Sequence, residues 1–155
     1  MFLQALATAT PDRSLSQLDC WEIAKTSAAV TTGLTRRSQL ILRTVLRGDS
    51  GIEQRQFAVR EINRIFDLDT DDLNDEFRHA APVLSSTALQ RALAEAELVA
   101  TDIDALVICT CTGYLCPGVT SYVAEQLGLR SSTYLQDLVG LGCGAAIPAL
   151  RAVDN

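Results

Sequence analysis

Apolar and polar positions along this chain alternate with two different periods, and the switches between them predict strands interleaved with helices. The clearest helix is residues 85–99, where Ala88, Ala92, Ala96 and Val99 form one stripe that Leu89 and Leu93 widen. Such a stripe asks for a sheet to pack on. Residues 105–109, Ala-Leu-Val-Ile-Cys, are a continuous apolar run of the kind central parallel strands show. Pro117 then opens a helix and Gly128 closes it, the usual asymmetry of proline in the first turn and glycine past the last. Residues 133–138 predict another strand, and 140–144 a tight turn into a last helix holding Ala145, Ala149 and Leu150. Pro148 falls early in that helix, where a missing N–H costs little.

The earlier part of the chain is more polar. Residues 2–9 predict a strand ended by Thr10-Pro11, and Ser14 is placed to cap a helix carrying Leu15, Leu18 and Trp21. A short helix at 37–46 is closed by Gly48, a turn follows at 49–52, and an arginine-rich passage runs on to Arg60. Thr70 before Asp71 and Asp72 predicts a helix start, and the acidic run over 67–76 reads as a solvated face.

At 155 residues, 48% hydrophobic and 21% charged, the chain is long enough for one packed α/β core and short for two ordinary domains. A formal net charge of -6 argues against nucleic acid, whose phosphates need a positive surface. Five cysteines without a small-scaffold spacing point to free thiols and a cytoplasmic home rather than a disulfide framework. The first six residues lack the basic start of a signal peptide. The uncharged run 105–124 is about long enough to span a bilayer, but Gly113, Pro117, Gly118 and several hydroxyls interrupt it. A buried strand, turn and helix explain it, and no membrane partner is expected.

Two features carry candidate chemistry. Cys143 lies at the predicted strand-to-helix turn among Gly140, Gly142 and Gly144, which let the backbone bend and leave room for a substrate. Exposed amides and the dipole at a helix N-terminus favour thiolate, so Cys143 reads as a nucleophile at the bottom of a buried pocket. A structural cysteine in a close-packed glycine turn fits the local sequence equally well. The second feature is the basic stretch Arg36, Arg37, Arg43, Arg47, Arg55 and Arg60, in which Arg36, Arg43 and Arg47 share a helical face. Such a patch suits the phosphates of a cofactor such as coenzyme A, or simply a solvated outer face. Cys109, Cys111 and Cys116 have a C-x-C-x4-C spacing that lacks a fourth metal ligand, so no metal is expected.

In order along the chain, Leu6-Ala7-Thr8-Ala9-Thr10-Pro11, Ser50-Gly51-Ile52 with Arg55, Cys111-Thr112-Gly113-Tyr114 with Pro117-Gly118, Leu127-Gly128-Leu129-Arg130, and Gly142-Cys143-Gly144 to Leu150-Arg151 resemble the N-terminal half of type III polyketide synthases. These are the chalcone and stilbene synthase-like enzymes of the thiolase superfamily, and Cys-Thr-Gly-Tyr looks more like their bacterial members. The resemblance covers nearly the whole chain. It implies an α/β fold, the N-terminal half of a thiolase-like fold with a mixed β-sheet and flanking helices, incomplete over residues 1–155.

By that resemblance Cys143 is the nucleophile that accepts an acyl group from a coenzyme A thioester, which malonyl-CoA extends by decarboxylative condensation. Cys111 and Thr112 fall where the family lines its starter and elongation pocket. Cys116 falls where plant members place a methionine that crosses the dimer interface. Arg43, Arg47 and Arg55 lie in the region of the coenzyme A entrance, although the basic positions do not register cleanly with the plant pattern. No permanently bound cofactor is implied, and the partners implied are acyl-CoA, malonyl-CoA, and either a second copy in a homodimer or a complementary C-terminal half. The family also uses a histidine and an asparagine from its C-terminal half. The one histidine here, His79, lies upstream of the later motifs and reads as a surface residue. The alternatives are an inactive fragment that serves as an interaction piece, and a ketoacyl synthase III-like enzyme that condenses once.

Overall fold

The computed structural model describes residues 2–49 and 51–154. In chain order the elements are β1 (Arg13–Ser16), α1 (Gln17–Ala24), α2 (Ala28–Thr31), α3 (Arg36–Arg47), β2 (Gln54–Phe57), α4 (Thr70–Glu95), β3 (Ala105–Thr110), α5 (Val119–Leu127), β4 (Tyr134–Val139) and α6 (Ala146–Asp154). The chain divides into two compact units, one of residues 10–76 and one of residues 2–9 with 77–154.

In the unit of residues 10–76, β1 pairs antiparallel with β2, Arg13 opposite Phe57 and Ser16 opposite Gln54. Because β1 occupies 13–16, the helix cap is Ser16, not Ser14, whose hydroxyl donates to Gln54 on the neighbouring strand. Ser16 is the better cap because an acid stands three residues on. The Asp19 N–H donates to Ser16 Oγ at 3.1 Å, and the Ser16 N–H donates to Asp19 Oδ2 at 3.1 Å, so two amides that the helix leaves unpaired satisfy each other's side chains. Cys20, Ala24, Val30 and Leu46 form the core, with Trp21, Leu42, Phe57 and Phe66 packed around it. Buried Gln17 ties three elements together, its amide donating to the Val45 carbonyl and its Oε1 accepting from Arg55 Nε at 2.8 Å. The expected short helix is α3, started by Thr35 and ended by Gly48. Strand β2 was not legible in the arginine-rich passage. Ser50 of the expected 49–52 turn lies outside the described residues, and Gly51 beside it has φ 72°.

In the other unit β3 and β4 run parallel and in register, Ala105 opposite Tyr134 and Thr110 opposite Val139, with α5 as the crossover between them. The register is fixed where the strands begin. Arg130 donates to Asp104 at 2.6 Å and to the Ile103 carbonyl, Thr133 Oγ donates to that same carbonyl, and the Tyr134 N–H donates to the Asp104 carbonyl. Leu115, Val119 and Val123 are the buried centre, covered by Leu106 and Ile108 of β3 and by Phe77, Ala81 and Leu89 of α4. Gly113 lies so close under the Phe77 ring that no Cβ would fit between them. Helix α5 ends as the sequence reading has it, with Gly128 in the left-handed conformation at φ 67°, but it starts at Val119 with Gly118 at the cap position, so Pro117 stands just before the helix and not in its first turn.

Two expectations fail here. The pattern predicts separate helices at 70 and at 85–99, but α4 is one 26-residue helix with Pro82 inside it, ending at Glu95. An interior proline costs about 3 kcal/mol. Pro82 is buried, however, and Phe77 and Ala81 before it pack on the same cluster as Leu89 after it, so packing keeps the helix continuous. The helix stops short of Val99 because Glu97 turns to positive φ and the Leu98 N–H bonds back to the Leu93 carbonyl. Residues 2–9 form no strand: Phe2, Leu3 and Leu6 are exposed, and the Thr8 carbonyl accepts from Arg91 at 2.7 Å instead of from a ladder.

The Ser16 hydroxyl, which donates to Asp19 Oδ2 at 2.6 Å, is the largest influence on Asp19, and with the Ser16 N–H it holds that carboxyl below the ordinary aspartate value. The folded chain therefore binds its proton less readily than the unfolded chain. The stabilisation is present above the ordinary aspartate pKa and is lost as pH falls through the depressed one. Ser16→Ala is expected to lower stability by about 1 kcal/mol at pH 7. Asp19→Asn is expected to reduce the loss of stability on acidification. Urea denaturation midpoints at pH 7 and at pH 3 check both.

Candidate active site

A parallel strand pair with a helical crossover leaves a crevice at the carboxyl ends of its strands, the usual place for ligands in α/β sheets. Both of the connections that carry candidate chemistry leave from that edge. After β4 ends at Val139, Gly140 and Gly142 take φ 78° and 61°, conformations that favour glycine, and the chain makes one short 3-10 turn over Gly142–Ala145 into α6. Ala145 is buried and anchors the turn. Cys143 stands on it with its thiol exposed. The expectation of a cysteine at the bottom of a buried pocket is therefore corrected. A turn at the edge of two strands supplies one wall, and enclosure requires another.

After β3 the chain passes through residues 111–118 to α5. This connection lines a pocket of about 340 Å³ together with the ends of β3 and β4, and its wall includes Thr110, Tyr114, Cys116, Gly118, Asp137 and Val139. Of the candidate substrate residues, Cys116 is in that wall. Cys111 and Thr112 are exposed on the same connection but do not line the pocket, and neither does Cys143. Among the described residues no group of three His, Cys, Asp or Glu side chains is arranged to hold a metal ion.

Asp137 is the functional candidate that the sequence reading passed over. It is the one charged side chain of β4, and its carboxylate accepts the Thr120 N–H at 3.3 Å and the Thr120 hydroxyl. A Cβ at Gly118 would overlap that carboxylate, so the helix start and the strand meet only because residue 118 is glycine. The signal was a lone acid in an otherwise uncharged strand that leads to Gly-Cys-Gly.

The arginines lie in the unit of residues 10–76 and divide by what holds them. Arg60 is bound by Glu76 and Asp75, at 2.9 and 2.6 Å, which raise its pKa further above the ordinary arginine value. Arg55 is half-buried and donates to Gln17. Arg43 and Arg47 are exposed on α3 and form no ion pair among the described residues. A groove of about 420 Å³ beside Arg47 also has Asp49 and Glu53 in its wall, so it is mixed in charge. Cys20 is the buried thiol of this unit; burial pushes its pKa up, against a smaller opposing effect of Arg55. His79 is exposed on α4.

No family model matches the chain. The 1,3,6,8-tetrahydroxynaphthalene synthase of Streptomyces coelicolor is 30% identical over 121 residues, covering 78% of this chain and 32% of that protein. The α-pyrone synthesis polyketide synthase-like protein of Mycobacterium tuberculosis is 29% identical across 99% of this chain and 39% of its own length. Among solved structures, the type III pentaketide synthase of Neurospora crassa superposes with a TM-score of 0.81 at 26% identity, over 99% of this chain and 40% of that one. The chain is homologous to the N-terminal part of type III polyketide synthases.

It spans between 32% and 39% of the length of those two curated relatives. The thiolase fold of the type III polyketide synthases also accounts for the elements seen here, with the parallel β3–β4 pair and its helices as a section of that architecture. No helix among the described residues is long and apolar enough to cross a membrane.

Gly118→Ala is expected to lower stability by about 1–3 kcal/mol, since the new methyl group must displace the Asp137 carboxylate. Gly144→Ala, where a Cβ meets nothing within 4 Å, is expected to leave it unchanged. Denaturant midpoints of the two variants make the comparison.

Proposed function

We propose that this chain supplies the nucleophile-bearing part of a type III polyketide synthase. In this reading the Cys143 thiolate attacks the carbonyl of an acyl-CoA thioester, a tetrahedral oxyanion forms, and the coenzyme A thiol leaves as the new thioester closes on Cys143. Decarboxylation of malonyl-CoA then gives the carbanion that condenses with that acyl group, and the cycle repeats. The observation that carries the reading is the placement of an exposed thiol on a glycine-bent turn at the carboxyl edge of the parallel pair, immediately before α6.

The roles of the other residues follow from position. Cys116, a small side chain in the pocket wall, leaves room for the growing acyl chain, and Cys111 and Thr112 on the same connection contribute to the starter and elongation site. Arg43 and Arg47, exposed and without an ion pair among the described residues, meet the phosphates of coenzyme A, while Arg55 contributes from β2. A histidine and an asparagine to steady the thiolate and the oxyanion come from a C-terminal half, and the working enzyme is a homodimer or a complex with that half. Free thiols suit a reducing, cytoplasmic setting. One observation favours a second reading, in which the chain is an interaction piece: Phe2, Leu3, Ile147 and Leu150 are large apolar side chains left exposed. Turnover separates the two, and the number of condensations per product separates iterative extension from a single ketoacyl synthase-like step.

Intact mass of the full chain with an acyl-CoA and a supplied C-terminal half is expected to show one thioester adduct, lost in Cys143→Ala. A complex that forms without any adduct on Cys143 overturns the reading. In the same complex, Arg43→Glu with Arg47→Glu is expected to raise the KM for malonyl-CoA about tenfold, from the loss of charge-assisted contacts to phosphate. An unchanged KM removes both arginines from the coenzyme A site.

A further inference from the structure

The connection from β3 to α5 is held at three places. Gly113 lies under the Phe77 ring, Leu115 is buried with Val119 and Val123, and Gly118 sits against the Asp137 carboxylate. Cys116 and Pro117 lie between the second hold and the third. We propose that Asp137 is the positioning residue of the Cys116 pocket: by accepting both the N–H and the hydroxyl of Thr120 it fixes the first turn of α5 to β4, and so sets where Cys116 stands in the pocket wall.

The first turn of a helix has amides with no partner inside the helix, and α5 lacks a cap of its own because Gly118 has no side chain to provide one. Thr120 is 2% exposed, so water is a poor substitute. The missing acceptor arrives from the neighbouring strand, at the position opposite Ile108 in the parallel register. A carboxylate is the suitable group, since it accepts two hydrogen bonds at once and its charge complements the positive end of the helix. Asp137 also faces the pocket, with Val139 two residues further along the same side of β4. One side chain therefore joins the helix that follows Cys116 to the strand that leads to Cys143. Its consequence for acyl-chain fit rests on the condensing-enzyme reading above. The placement itself does not.

The first test needs no substitution. In the full chain, native-state hydrogen exchange is expected to be about tenfold slower at the Thr120 amide than at Val119, since the Asp137 acceptor protects the former. Equal rates overturn the proposal. The second test is iodoacetamide labelling followed cysteine by cysteine with peptide mass mapping. Cys116 is already exposed, so its labelling reports its surroundings and not an opening step. Thr120→Val and Asp137→Ala are each expected to shift its rate about threefold in either direction, from the loss of a net hydrogen bond. Cys109 on β3 keeps its native rate, and Thr120→Ser, which retains the hydroxyl, restores that of Cys116. An unchanged Cys116 rate in both variants overturns the proposal, and so does a parallel shift at Cys109, which marks a general disturbance of the fold. Neither test uses acyl transfer, so failure of the condensing reading would leave both results interpretable.

Discussion

The in-register parallel pairing of β3 with β4 is the constraint on which the candidate site depends. Parallel neighbours cannot be joined by a tight turn, so the chain must cross over through α5 and return to begin β4 beside the start of β3. With Thr110 opposite Val139, the two strands finish together, and the segments that leave them emerge at one edge. The glycine turn of Cys143 and the connection bearing Cys116 are the products of that edge. Arg130 and Thr133 secure the opposite end, and their bonds to Ile103 and Asp104 oppose slippage. A slip of a single residue would turn Asp137 to the other face of the sheet, away from Thr120.

Legibility in the sequence followed the sharpness of the local signal. Residues 105–109, 117–128 and 133–138 could be placed because a continuous apolar run, a proline–glycine bracket and a β-rich segment each exclude the alternatives, and the turn at 140–144 because its glycines are closely spaced. Ser14 and Ser16 are equivalent as caps until strand pairing claims 13–16, which is a contact with residues some forty positions away. Continuity of α4 through Pro82 is likewise a tertiary result, decided by Phe77, Ala81 and Leu89 meeting one cluster. The failed strand at 2–9 shows the converse: alternation and apolar content do not make a strand without an edge to receive it.

The site was legible in its nucleophile candidate and not in its supports. Cys20 and Cys143 are the same residue in the sequence, but the first is enclosed by Trp21, Leu42 and Phe57 and the second is open to solvent. Nothing local separates them except the glycines around the second. The arginines behave similarly. Arg60 belongs to Asp75 and Glu76, and Arg55 is engaged by Gln17, whereas Arg43 and Arg47 form no ion pair among the described residues. In a chain of net negative charge, which cations remain available for an anionic ligand is decided by where the carboxylates fold to.

Gly113 and Phe77 share one volume: the aromatic ring occupies the space that any side chain at 113 would need. In evolutionary terms the two positions are not independent. A lineage that enlarges residue 113 must first shrink residue 77 or move α4, so neutral drift at either is gated by the other. Diversity in the pocket-lining connection is thereby limited by an aromatic residue of α4 that lies outside the pocket wall.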